Sequence, residues 1–284
     1  MTAATAPVER PAVSEGSDRP VWWLVFRQEL EELWVGGKAL NLLILFGILI
    51  SITGFLLATN NELSLTPPRT MIVVMIHTAM TFGLFIGLVI ASESISGERE
   101  RATLEPLLLA PAGRRQIVFG KYLAALSPWP LAYLYTVPYV ITLAQGDLAL
   151  WPAVAWGAVL GTLTTVAFTA LGMLVSLWSS TSRTSLFVGL LIYILAQLPP
   201  QLPGEFLASP AGAFVQAIDP LEAVRQFLIQ GFVEVKLVDQ LWPLLYAPVV
   251  VTAVILAVLF LYAAPRLGLE GGGSAGRTGS GSEG

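Results

Sequence analysis

Six apolar stretches of roughly membrane-spanning length constrain this chain more than any other feature. A spanning helix needs about 20 mostly apolar residues. Ala39–Ala58, Met71–Ala91, Leu123–Leu143, Pro152–Trp178, Leu186–Leu202 and Leu241–Ala264 each meet or approach that length. Charge is scarce between them: 12% of the 284 residues are charged, 55% are hydrophobic, and mean hydropathy is +0.73. A soluble domain carries about 25% charged residues, so the composition specifies a polytopic membrane protein. Pro128, Pro130 and Pro138 in the third stretch, and Pro243 and Pro248 in the sixth, each remove a backbone donor and predict kinks. Neighbouring helices can absorb that cost in a bilayer.

Loop charge sets the orientation. With both termini in the cytoplasm, only Arg69, Arg225 and Lys236 of the 15 Lys and Arg residues fall outside. The outer segments are acidic instead, with Glu62, Asp147, Glu205, Asp219, Glu222, Glu234 and Asp239. Residues 1–20 are polar, contain proline and lack the apolar core of a signal peptide, and are expected to be a disordered cytoplasmic tail. Residues 21–36 form an interfacial amphipathic helix and 37–266 the six-span domain. Residues 267–284 form a disordered Gly/Ser-rich cytoplasmic tail.

Within 21–36, Val21–Val35 carries an apolar stripe of Trp22, Phe26, Leu30 and Leu33 at helical spacing, widened by Trp23 and Trp34. Arg27, Gln28, Glu31 and Glu32 occupy much of the rest, and boundary tryptophans suit a helix lying in the headgroup plane. Gly36-Gly37 turns the chain into the first span. On the outer side, the segment 203–240 is too polar to span. Asp219-Pro220 starts a helix with one apolar face of Leu221, Val224, Phe227, Leu228 and Phe232, which reads as a re-entrant helical hairpin before the last span or, alternatively, as an external helix packed on the bundle.

The densest charge lies inside, between the second and third spans, in the run Glu93 to Pro111. Thr103 is placed to cap a short helix whose first turn holds Glu105 and Pro106, and Pro111-Ala-Gly113 stops it. That helix presents Leu104, Leu107 and Leu108. A merely solvated loop has no reason to expose three leucines, so the run reads as a docking element for a soluble partner.

Several chemistries are excluded. There is no cysteine, so there are no disulfides or thiolate metal sites, and a single histidine excludes a multi-histidine metal site. Gly120-Lys121 and Gly37-Lys38 both fail as phosphate-binding loops. The first has Arg115 and Tyr122 where Gly and Ser or Thr are needed, and the second has Glu32 and Ala39. No basic stripe suggests nucleic acid. His77 lies inside the second span, where an ionisable group is a functional candidate by default, yet the spans offer no evident acidic partner for it. An intramembrane enzyme would need polar residues clustered at one depth, and an ion-coupled secondary transporter would need intramembrane acids and repeated broken helices. Neither pattern is evident. Trp129, Tyr133, Tyr135 and Tyr139 along the third span read either as a path for lipid-like or drug-like molecules or as ordinary packing.

The stretch Glu93…Gly97-Glu98-Arg99-Glu100-Arg101-Ala102-Thr103-Leu104-Glu105-Pro106-Leu107-Leu108-Leu109-Ala110-Pro111…Gly120-Lys121 closely resembles the ABC-2 type permease family, the membrane subunits of ATP-driven exporters. The family usually has Gly where Ala102 stands, and Ala also permits a tight approach. The resemblance implies an all-α fold of six transmembrane helices with an interfacial helix, a cytoplasmic coupling helix and an external hairpin. It implies that Glu98, Arg99, Glu100, Arg101, Thr103, Leu104, Glu105, Leu107 and Leu108 couple to a separate ABC ATPase. The leucines would be the apolar plug, and the charges would pair with the rim of the ATPase cleft. Trp22, Phe26, Arg27 and Leu30 would belong to an interface helix that also touches the ATPase. Two permease copies and two ATPases would form the working unit in the cell membrane. ATP and Mg²⁺ would sit on the partner, and this chain would hold no catalytic, cofactor or metal site of its own.

Overall fold

A computed structural model describes residues 20–59, 66–104, 113–201, 209–210 and 219–267, and every regular element among them is helical. They are α1 (Val21–Val35), α2 (Lys38–Thr59), α3 (Pro68–Glu93), α4 (Ser96–Glu100), α5 (Arg114–Leu126), α6 (Pro128–Ala144), α7 (Leu150–Trp178), α8 (Ser182–Ala196), α9 (Pro220–Leu228) and α10 (Val238–Ala257). α9 runs on through a π turn at Ile229–Val233, and α10 through a π turn at Val258–Ala263 into a final 3₁₀ turn.

Among the described residues, four helical stretches are long and apolar enough to cross a membrane: Lys38–Thr59, Pro68–Glu100, Leu150–Trp178 and Asp239–Arg266. They correspond to the first, second, fourth and sixth apolar stretches. The third is divided. Pro128 and Pro130 cannot donate to the preceding turn, so the helix is re-initiated at Pro128 and the stretch Leu123–Leu143 straddles the α5–α6 junction. Ser127 at that junction keeps helical backbone angles, and the chain continues in the same sense. The fifth begins earlier than expected. The Thr181 hydroxyl accepts from the Thr184 N–H at 3.3 Å and caps α8, which ends at Ala196 before Pro199-Pro200, after 15 residues. Pro138, Pro243 and Pro248 sit inside α6 and α10, which remain helical through them.

α3 and α7 form the axis of the bundle. In each, 61% of the most apolar window is buried, against 28% for α2 and 22% for α10. In lipid, helices associate by close packing rather than by hydrophobic exclusion, which favours small residues at the contact. A Cβ on Gly172 of α7 would stand 2.5 Å from the Leu88 carbonyl of α3, and one on Gly87 of α3 would stand 2.4 Å from the Thr169 hydroxyl. The indole of Trp129 fills the space left by Gly83 and Gly161, and donates to the Thr162 hydroxyl at 2.9 Å.

The two ends of the bundle hold different chemistry. At one, α1, α4, the start of α5, the end of α7 and the start of α8 converge, and Lys38 at the head of α2 pairs with Glu93 at the foot of α3. At the other, Arg69 at the head of α3 pairs with Asp147 in the α6–α7 connection at 2.9 Å. Asp147 also accepts the Ala149 N–H at 2.7 Å, and these bonds hold its carboxyl below the ordinary aspartate range. α9 packs at this second end. Its Phe227, 1% exposed, meets Trp156 of α7 with ring centroids 4.9 Å apart.

Candidate functional site

The charged run builds α4 and the turn that ends it. α4 starts where the Ser176 hydroxyl of α7 accepts the N–H groups of Ile95 at 3.0 Å and Ser96 at 2.9 Å. It ends in a Schellman turn. The Thr103 N–H reaches back to the Glu98 carbonyl at 3.0 Å, and the Ala102 N–H reaches the Arg99 carbonyl at 3.2 Å. Ala102 therefore sits at φ +57°, left-handed backbone that glycine adopts freely and alanine at a cost of about 1 kcal/mol. That corrects the tight-approach reading of position 102. Glycine suits the resembled pattern there because the turn needs a positive φ. The Thr103 hydroxyl also turns back, donating to the Glu98 carbonyl at 3.3 Å.

From Glu98 to Arg101, each charged side chain reaches a different helix. Arg99 donates to the Ser179 carbonyl, and to the Leu177 carbonyl at 3.2 Å, at the C-terminus of α7. Those carbonyls have no partner inside their own helix, and a cation is favoured there. Glu100 accepts the Ser182 N–H at 3.0 Å, the mirror arrangement at the N-terminus of α8. Arg101 lies 3.9 Å from Glu32 of α1 with both side chains exposed, which contributes little. Glu98 accepts from Lys121 of α5 at 2.7 Å. Leu104 is 1% exposed and packed in the chain's own core. Glu105, Leu107 and Leu108, with the rest of the expected short helix, lie outside the described residues.

α1 packs along α5. A Cβ on Gly120 would stand 2.7 Å from the Trp22 carbonyl and 3.0 Å from the Phe26 nitrogen, so glycine is what allows the contact. Val25 and Leu33 are buried in it, Trp22, Phe26 and Leu30 are half-buried, and Trp22 meets Phe119 edge-on at 5.7 Å. Arg27 points outward and pairs with Glu31 at 2.8 Å. Glu29 points inward and accepts from Lys121. Lys121 is thus 1% exposed and held by carboxylates from two elements far away in sequence. Burial works to lower its pKa, but Glu29 and Glu98 outweigh that and hold it above the ordinary lysine value. Beside the ammonium lies a cleft of about 310 Å³ whose lining includes Glu32, Lys38, Glu93 and Arg101.

Sequence reasoning carried Lys121 only as part of the resembled pattern and did not single out Glu29. The signal was present. Residues 22, 26, 29 and 33 fall on one helical face, so Glu29 interrupts an otherwise apolar stripe. Ser176 gave no comparable signal.

At the other end, Asp219 caps α9 by accepting the Leu221 N–H at 2.9 Å, and burial pushes its carboxyl above the ordinary aspartate range. Glu222 is enclosed and takes two bonds from Arg225, at 2.6 and 2.7 Å, and one from Gln226 at 2.7 Å. These bonds outweigh its burial and hold it below the ordinary glutamate range. His77 of α3 lies within electrostatic reach of Glu222 and Arg225. Its charged neighbours come from α9 rather than from a span, which is why a search of the spans missed them.

The aromatic stripe of α6 divides. Trp129 and Tyr133 turn inward, and the Tyr133 hydroxyl donates to the Val154 carbonyl at 2.7 Å. Tyr135 and Tyr139 lie on the opposite side with Ser51 of α2, whose hydroxyl is 2.7 Å from that of Tyr139. Two residues apart on a helix is about 200°, so Tyr133 and Tyr135 cannot share a face.

A bundle of long apolar helices with a charged turn locked onto its helix ends is a multi-pass membrane protein. Residues 23–266 match the model of the ABC-2 family transporter proteins, and the chain belongs to that family. It is accordingly the membrane-embedded, permease component of an ABC transporter, a class that associates with an ABC ATPase. Among curated proteins, none matches the chain.

Proposed function

We propose that this permease is one of two copies in an exporter of the cell membrane, driven by a separate cytoplasmic ATPase that binds ATP and Mg²⁺. The six spans are α2, α3, the end of α5 with α6, α7, α8 and α10, and both termini are cytoplasmic. The end bearing α4 faces the cytoplasm, and α9 belongs to an external re-entrant hairpin. The distribution of Lys and Arg supports this orientation.

The observation that carries the coupling reading is the seating of α4. Arg99 grips the end of α7 and Glu100 the start of α8. A push on the segment that follows is therefore delivered to the bundle axis. ATP can shift the membrane part only through contacts that differ between its two arrangements, and these side chains are placed to register such a difference. In this reading Leu104 anchors the element in the permease, while Glu105, Leu107 and Leu108 reach the ATPase. Glu98 and Arg99 hold the base, Glu100 and Arg101 border the contact, and Arg27 on the outer face of α1 adds a second contact.

The test is co-purification of the tagged chain from its host in mild detergent, repeated with Leu107→Asp and Leu108→Asp. An ATPase captured by the native chain and lost with the variants is the expected result. Undiminished capture by both variants would remove the docking role from these leucines.

A further inference from the structure

Lys121 is the only buried lysine among the described residues, and both of its partners lie on elements that the coupling reading assigns to the ATPase interface. Glu29 is on α1, Glu98 on α4, and Lys121 itself on α5, which leads into the third span. We propose that Lys121 is a positioning residue that locks the interfacial helix and the coupling turn into one rigid body. The ATPase then cannot move one without the other.

Three observations support the lock. The ammonium is 1% exposed, so breaking both pairs would leave a largely desolvated charge. Gly120 brings the α1 backbone to within contact of α5 beside the lysine, which leaves the pair of helices little freedom to slide. Among the described residues, the other ion pair between α1 and the turn, Arg101 with Glu32, is long at 3.9 Å and exposed, and contributes little. The 310 Å³ cleft beside the ammonium marks where the two elements would separate if the lock failed.

This inference rests on the coupling reading for its purpose, but the lock can be measured without it. The chain has no native cysteine, so spin labels can be placed at Gln28 on α1 and Ala102 after α4. The distance between them is measured in the isolated chain and in the complex with its ATPase, with and without bound ATP. The native chain is expected to give one narrow distance throughout. Glu29→Gln leaves Lys121 paired with Glu98 and is expected to broaden the distribution, most in the ATP-bound complex. The triple variant Lys121→Met, Glu29→Gln, Glu98→Gln leaves no orphan charge and is expected to uncouple the two labels, so that ATP shifts only one of them. A narrow, unchanged distance in Glu29→Gln and in the triple variant would overturn the lock, whatever their thermal stability. Failure of the native chain to bind any ATPase would overturn the coupling reading instead, while the isolated chain still decides whether the lock exists.

Discussion

The turn at α4 and the helix α9, at opposite ends of this bundle, use charge in opposite ways. At the α4 end, ion pairs join residues far apart in sequence: Lys121 with Glu29, Lys121 with Glu98, and Lys38 with Glu93. On α9, the pair is Glu222 with Arg225, three residues apart on the same helix, while the long-range pair at that end, Arg69 with Asp147, joins α3 to the α6–α7 connection and leaves α9 out. Distant pairs weld elements together, whereas a local pair neutralises itself and leaves its helix held to the bundle mainly by packing through Leu221, Val224, Phe227 and Leu228. The first end is therefore stiffly joined, as the coupling proposal requires. α9 can shift as a unit without breaking its own ion pair.

Breaking the weld should have the largest effect. Lys121→Met leaves Glu29 and Glu98 without their cation. Breaking a buried pair costs about 3–5 kcal/mol, and about 3 kcal/mol is expected here because the two glutamates remain 16% and 24% exposed. Thermal unfolding in detergent should show it, with hydrogen exchange rising together in α1, α4 and α5. Phe227→Ala should cost less, about 2 kcal/mol, below the usual core value because lipid replaces water as the reference. Exchange should rise in α9 and leave the other end protected. If Phe227→Ala also loosened α1, the separation of the two ends would be wrong.

Asp219 sharpens the comparison further. Asp219→Ala removes the cap of α9 and should cost about 1 kcal/mol. Asp219→Asn keeps the accepting oxygen and removes the charge. An acid whose pKa is raised on folding loses stability as pH rises from its unfolded pKa through the folded one. The Asn variant should therefore match or exceed the native chain at neutral pH, and its stability should no longer fall across that window. The smallest effect expected is at Ala102. Ala102→Gly relieves the left-handed strain, offset in part by the greater freedom of glycine in the unfolded chain. It should stabilise by about 0.5 kcal/mol. A loss of stability there would mean that the Schellman turn does not set the preference.

Much of the fold was legible because a membrane leaves a chain few options. Apolar length alone marked out the helices at Lys38–Thr59, Pro68–Glu93 and Leu150–Trp178 to within a few residues. The amphipathic helix Val21–Val35 and the start of α9 at Pro220 followed from helical spacing and from an aspartate–proline cap. The division of the third stretch was less legible, since prolines signal a break without saying whether the chain bends or restarts. The charged run stood out by its composition, yet its composition could not apportion the charges. Glu98, Arg99, Glu100 and Arg101 look alike in sequence and have four different tasks in the structure.

The sequence by itself determined that the chain is helical, four of the segments apolar enough to span, and the family to which the pattern belongs. These depend on local spacing and on transfer of side chains into lipid, quantities carried by each segment alone. Only the tertiary structure decided that Lys121 joins Glu29 to Glu98, and that Ser176 and Arg99 serve opposite ends of neighbouring helices. Those assignments depend on which distant surfaces meet. A buried charge takes whichever partner the packing brings within hydrogen-bond reach, and that is set by the whole bundle.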